Sequence, residues 1–358
     1  MYEYGVPLVT CRGSNSGMVL WADGPLWVSN NAMAIWPKRG NPRFLYYALT
    51  YNPPFAVVTG SAQPQITRRD LSTFFIPWAE KRIQDEIAAL LDMFDDKIEL
   101  NRRMNETLEA MARAIFKDWF VDFGPTRAKM EGRAPYLAPD LWNLFPARLD
   151  PDTGLPEGWE IGTLADVAEP ERRTVNPADM PGGTPYIGLE HMPRRCIALA
   201  EWDSSNEVSS NKSVFEAGDF LFGKLRPYFH KVGIAPVDGI CSTDIVVLRS
   251  SRPHWQAFVL ACISSEDFVA YTDQTSTGTK MPRTSWKTMS RYELCIPDDQ
   301  IAEQFQAIVA PMLDRIARNI HESRTLAQTR DLLLPKLMSG EISVSLPDNE
   351  CIETVLAQ

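Results

Sequence analysis

The chain has 358 residues, of which 44% are hydrophobic and 10% aromatic, and a formal net charge of -10. That length suits two or more domains with real cores, and that composition excludes a disordered or fibrous chain. The acidic balance argues against a uniformly basic nucleic-acid binder; no apolar run reaches the ~18 residues of a membrane span, and the N-terminus lacks the basic-then-apolar pattern of an export signal.

The first elements expected are strands at 7–10, 18–21 and 26–36, with a loop Arg12-Gly13-Ser14-Asn15-Ser16-Gly17 between the first two, and a short helix at 43–50. A loop through Gly60, Pro64 and Arg68-Arg69 leads to a short strand at 74–76, then Pro77 and a long helix over 83–120. Its apolar stripe runs Ile87, Leu91, Phe94, Ile98, Asn101, Asn105, Leu108, Ala112, Ile115, Trp119, in steps of four and three. Such steps average 3.5 residues, the period of a helix that keeps one seam against a partner helix.

Residues 121–158 are rich in Pro and Gly and read as a linker with anchors such as Trp142 and Phe145. Strand-like runs follow at 186–189, 220–223 and 240–248, then a helix at 255–264 and a second long helix over 301–338. Adding 218 to the first stripe gives the second: Phe305, Val309, Met312, Ile316, Asn319, Ser323, Leu326, Arg330, Leu333, Leu337. Gly60 to Gly278 and Pro64 to Pro282 share that offset, so the chain is an internal duplication. The two helices are expected to pair, with the polar middle of each stripe fixing register through buried amides. Counterparts of 159–218 would precede Met1, and a truncated or mis-started first unit is expected from that.

Charge follows the same plan. Segments 1–79 and 219–297 are net positive by +3 and +2, whereas 80–122, 158–218 and 298–358 are net negative by -4, -5 and -5. The basic excess therefore sits on the irregular segments that precede each helix.

Few constellations suggest catalysis. Asn52-Pro53-Pro54-Phe55 looks like the tetrapeptide of adenine-specific DNA methyltransferases, in which the Asn binds the target amine and the aromatic stacks on the flipped base. No Gly-rich cofactor loop accompanies it, and a Pro-rich helix stop explains it as well. The histidines His191, His230, His254 and His321 are dispersed. The cysteines Cys11, Cys196, Cys241, Cys262, Cys295 and Cys351 show no metal-ligand spacing and read as reduced thiols. Asp95, Asp96 and Glu99 are expected on solvated helix faces or against a partner.

The duplicated plan resembles the specificity (S) subunit of Type I restriction-modification systems. The resemblance is strongest at "IPWAEKRIQDEIAALLDMFDDKIELNRRMNETLEAMARAIFKDWFVDFGPTRAKMEG" (76–132), "LPEGWEIGTLADVAE" (155–169) and "IPDDQIAEQFQAIVAPMLDRIARNIHESRTLAQTRDLLLPKLMSGEI" (296–342). It implies an α+β fold in which two mixed α/β target-recognition domains, the first incomplete, are separated by two long helices paired as an antiparallel coiled coil. The expected boundaries are 1–79 for the partial first recognition domain, 80–122 for the first spacer helix and 123–157 for the linker. The second recognition domain then takes 158–297, the second spacer helix 298–342 and the C-terminal tail 343–358.

The implied function is to direct methylation and restriction subunits to a bipartite DNA target without catalysis of its own. Expected partners are double-stranded DNA, methylation (M) subunits, two in number, and restriction (R) subunits reached through the methylation complex. S-adenosylmethionine, ATP and magnesium would belong to those partners, and the location would be cytoplasmic. DNA contacts are expected where basic charge, flexible turns and aromatics coincide. In the second half these are Arg194, Arg195, Lys224, Arg226, Lys231, Lys280, Arg283 and Lys287. In the first half Arg12, Lys38, Arg39, Arg43, Arg68 and Arg69 form the analogous set.

Overall fold

The computed structural model describes residues 5–344, so Cys351 and all but the first residues of the expected tail lie outside the described residues. Residues up to Glu99 together with those from Ser323 onward form one compact unit, and Leu100–Glu322 form the other.

In the first unit, β1 (Val6–Thr10) is flanked antiparallel by β2 (Val19–Ala22) and β3 (Ala32–Ala34). The third strand is much shorter than the 26–36 run suggested, because only three of its residues find register against β1. Helix α1 (Pro42–Tyr51) begins where the Asn41 side chain accepts from the backbone N–H groups of Arg43 (2.8 Å) and Phe44 (3.2 Å). One face of α1 seals the sheet through Leu45 and Leu49 against Val9, Cys11 and Ile66.

The other face of α1 meets the long helices. Phe44, Tyr47 and Ala48 pack with Ile87, Ala88 and Leu91 of the first long helix (Lys81–Phe116) and with Leu334, Leu337 and Met338 of the second (Asp299–Ser339). A polar layer adjoins this core. Asp95 accepts from Arg43 (3.3 Å) and Arg330 and Asp92 accepts from Arg43, while the single Tyr47 O–H lies between the two carboxylates, 2.7 Å from Asp95 and 2.8 Å from Asp92. Asp95 is thus an internal partner and not the solvated carboxylate that its helix position suggested. Arg43 is likewise committed, its guanidinium also stacking on Trp21 at 4.5 Å.

The 74–76 segment is not a strand. Its counterpart in the second unit, Glu293–Ile296, is a strand because Glu160–Thr163 pairs with it along four residues. Among the described residues of the first unit no strand pairs with 74–76, and the Phe75 carbonyl instead accepts from the Asn52 amide at 3.0 Å. A strand pattern without a partner strand cannot be satisfied as sheet.

In the second unit the strands are β4 (Glu160–Thr163), β5 (Ala168–Pro170), β6 (Thr174–Val175), β7 (Pro185–Ile187), β8 (Asp203–Ser204), β9 (Lys212–Phe215), β10 (Phe220–Gly223), β11 (Val232–Ile234), β12 (Gly239–Cys241), β13 (Ile245–Ser250) and β14 (Glu293–Ile296). They make a four-stranded sheet β11-β10-β13-β5, a five-stranded sheet β6-β9-β12-β7-β8 and the β14-β4 pair. The run read as one strand at 240–248 is two strands in different sheets, divided by the Ser242 turn in which the Ile245 N–H donates to Ser242 O at 2.9 Å.

The duplication is visible in the sheets. Antiparallel β11-β10-β13 repeats β2-β1-β3, and α2 (Gln256–Ile263) repeats α1, with β5 added beside β13. Residues 123–157, expected as linker, contain helices Gly124–Met130 and Pro139–Leu144 and bury Trp142 and Phe145. A π turn, Lys117–Val121, ends the first long helix and seats Trp119 and Phe120 in an aromatic cluster with Phe258 and Phe305.

The helices pair antiparallel within each unit. Ile87 and Leu91 share a core with Leu337 and Leu334 in the first, and Ala112 shares one with Val309 and Phe305 in the second. The polar middle of the stripe behaves as expected in the second unit, where the Asn319 amide donates to Asn105 Oδ1 at 2.8 Å and both residues are buried. The Asn101 amide donates instead to Glu322 at 2.9 Å.

Candidate nucleic-acid interface

The loop Lys224–Lys231 joins β10 to β11. Among the described residues only four non-glycine residues have positive φ, and three of them, Arg195, Arg226 and His230, belong to this loop or its neighbour. The Arg195 N–H donates to His230 O at 2.9 Å, and the buried His230 ring bonds Ser264 O at 2.9 Å. Burial, more than any neighbouring charge, holds the His230 imidazole below its ordinary pKa. Left-handed backbone at bulky residues costs about 1–3 kcal/mol each and persists only where surrounding bonds impose it. Here Pro227, the two αL residues and the buried imidazole hold one loop shape.

On this loop Tyr228 is exposed and stacks edge-on against Phe229 at 4.7 Å, while the Arg194 guanidinium lies over the Phe229 ring at 4.1 Å. Lys231 turns inward instead. Its ammonium donates to Leu189 O, and burial, then the Arg194 charge, lower its pKa. Arg195 is exposed and paired with Glu266. Lys280 and Lys287 are exposed, and Lys224 is half-buried.

A second loop lies against the first. Thr277 and Arg283 exchange both backbone hydrogen bonds (3.0 and 2.9 Å) around Gly278, whose φ of +99 suits a residue without Cβ. Arg283 also bridges Leu225, because the Arg226 N–H donates to Pro282 O (2.7 Å) and the Thr284 N–H to Lys224 O (3.0 Å). One side of the Arg283 guanidinium meets Asp244 Oδ1 at 3.3 Å.

The first unit builds the same object with different residues. Thr59 and Gln65 exchange two bonds of 2.8 Å around Gly60, φ +87. Gln65 also bridges Arg12, the Gly13 N–H donating to Pro64 O (2.9 Å) and the Ile66 N–H to Cys11 O (3.1 Å). Arg12, Lys38, Arg39, Arg68 and Arg69 are exposed; the last two lie on the short helix Arg68–Leu71 capped by Thr67.

Sequence reasoning missed Gln65, Asp244 and Glu109. Gln65 carries no charge, and the signal that could have found it is the 218 offset from Arg283. Glu109 is buried, accepts the Ile197 N–H (3.0 Å) and pairs with Arg113; burial is the largest influence on its carboxyl and raises its pKa.

Asn52 is the C-cap of α1, and its amide is engaged by Phe75 O, so the tetrapeptide works as a helix stop. No group of His, Cys, Asp and Glu able to hold a metal ion occurs among the described residues, and no described helix is long and apolar enough to cross a membrane.

The model of the Type I restriction modification DNA specificity domain matches residues 8–110 and 156–328. The specificity subunit of Type I restriction enzyme MjaIX from Methanocaldococcus jannaschii is 25% identical over 96% of this chain and 79% of its own length. That of HindI from Haemophilus influenzae is 26% identical over 91% and 84%. In fold, the crystal structure of a Type I restriction-modification S subunit from M. genitalium superposes with a TM-score of 0.52 at 17% identity, covering 97% of this chain and 85% of that one. With two matched regions that take in both copies of the paired-loop surface, the chain belongs to the Type I restriction-modification DNA specificity family and is a DNA target-recognition subunit, not an enzyme.

Proposed function

We propose that the two paired-loop surfaces are the DNA-reading faces of this subunit, one for each half of a bipartite target. Residues 1–79 would hold the first reader and 158–297 the second, with spacer helices over 80–122 and 298–342, connecting residues at 123–157 and a tail at 343–358. The single observation that carries the reading is repetition: two loops are locked together by the same backbone bonds in both units, although their side chains differ. A scaffold that is kept while its exposed side chains change suits a family of readers with different targets.

On this reading Lys224, Arg226, Lys280, Arg283, Lys287, Arg194 and Arg195 face the duplex in the second unit, and Arg12, Lys38, Arg39, Arg68 and Arg69 in the first. Lys231 supports the same loop through its brace to Leu189. Two methylation subunits dock by the pseudo-twofold symmetry of the repeat, restriction subunits join through them, and S-adenosylmethionine, ATP and magnesium are bound by those partners in the cytoplasm.

The test is duplex binding by the chain assembled with its methylation subunit across a salt series. Replacing Lys280 and Lys287 by Ala should shallow the dependence of log K on log salt by about one unit for each phosphate no longer neutralised. Unchanged affinity and slope in the double variant, and in Lys224→Ala, would remove this surface from the interface.

A further inference from the structure

Gln65 and Arg283 occupy one structural position. Each is the middle member of a three-segment ladder, hydrogen-bonded directly to Thr59 or Thr277 on one side and set opposite Arg12 or Leu225 on the other through bonds made by the flanking residues. The residue that follows is buried in both, Ile66 at 3% and Thr284 at 4% exposure. Side chains alternate along extended backbone, so a buried successor directs the side chain before it outward. Both Gln65 and Arg283 are exposed, on a backbone held from two sides. A planar, hydrogen-bonding side chain on a fixed outward mount is what recognition of a base edge requires.

We propose that residue 65 and residue 283 are the equivalent specificity-determining residues of the two half-sites, Gln65 reading an adenine and Arg283 a guanine in the major groove. This rests on the paired loops being the DNA-reading faces. The chemistry follows from the side chains: a glutamine amide matches adenine N6 and N7, and a guanidinium matches guanine O6 and N7. Asp244 engages one side of the Arg283 guanidinium, which restricts its orientation and leaves other donors of the fork for a base.

Methylome sequencing of a host carrying the full chain and its methylation subunit reads both positions. Arg283→Gln should abolish the requirement for guanine at one position of one half-site and leave the other half-site intact. Gln65→Arg should change one position of the opposite half-site. Each discrimination should fall by roughly 5- to 150-fold, from 1–3 kcal/mol per bidentate contact. An unchanged methylated motif with either variant overturns the assignment of that residue. If methylation is lost outright, the assembled complex is titrated with duplexes that vary each base. Loss of preference at one position with other binding kept supports the proposal, and a uniform loss across all sequences overturns it. That last result would leave the loops as phosphate-binding faces, whereas lysine variants with unaltered salt slope would remove the faces themselves.

Discussion

Replacing both Asn105 and Asn319 by Leu should raise the stability of the second unit, although neither single change should do so appreciably. The two amides share one hydrogen bond of 2.8 Å in a seam whose apolar members include Ala112, Val309, Leu313 and Ile316, and Asn319 Oδ1 is buried with no partner. That bond contributes about 1 kcal/mol net, and a buried unpaired amide group costs about 1–3 kcal/mol. Burying a leucine side chain contributes ~1.5–3 kcal/mol. A single Asn319→Leu change therefore gains one apolar side chain but strands the Asn105 amide, and the two effects offset within about 1 kcal/mol. The double variant strands nothing and gains two apolar side chains, a net stabilisation of roughly 2–4 kcal/mol once strain from the larger side chains is allowed for. Urea unfolding of the four species, with equal m values as the check on two-state behaviour, gives the cycle directly. A double variant no more stable than wild type, or additive single effects, would refute the view that the pair is kept for register at the expense of stability.

Arg113→Ala should cost about 3–5 kcal/mol, because it leaves the buried Glu109 carboxylate without its cation, and Glu109→Gln should recover most of that loss in the double variant, as urea midpoints would show. Since burial lowers the His230 pKa, the unfolded chain takes up a proton near pH 6.5 before the folded one does. Stability should therefore fall as pH drops below 6.5, and His230→Phe should flatten that fall in thermal melts between pH 7.5 and 5. Leu91→Ala, at a fully buried seam position, should cost ~2–5 kcal/mol, whereas Leu326→Ala, half-buried, should cost markedly less; equal losses would contradict the observed packing. Asn52→Ala should leave methylation by the assembled complex in place apart from a small loss of stability, since this amide only bonds Phe75 O.

The long helices and their pairing were legible because a 3.5-residue period kept over many turns, and kept twice, has few other physical readings, whereas the antiparallel sense of the pair was implied only by the family resemblance. The 218 offset likewise sets Gly60 opposite Gly278 from sequence alone. Strand ends were less legible. Whether 74–76 forms a strand depends on a partner remote in sequence, and the division of 240–248 depends on which sheet each half joins. At the site, basic residues could be picked out by charge but not sorted by job. Lys231 and Arg43 turn inward to a carbonyl and to aspartates, while Gln65, without charge, takes the outward position. That sorting shows only in the folded contacts, side-chain bonds for Lys231 and Arg43 and backbone bridges for Gln65.

The first unit is assembled from both ends of the chain, whereas the second is one uninterrupted stretch. On the ribosome the second can complete its fold once Glu322 has emerged. The core that α1 makes with the long helices in the first cannot close until Leu334, Leu337 and Met338 arrive, about 240 residues after Glu99 and so roughly 10–50 s later at ~5–20 residues per second. Through that interval Phe44, Ile87 and Leu91 are made but not yet covered by the second helix, so the nascent chain exposes an apolar surface. The half made first is finished last.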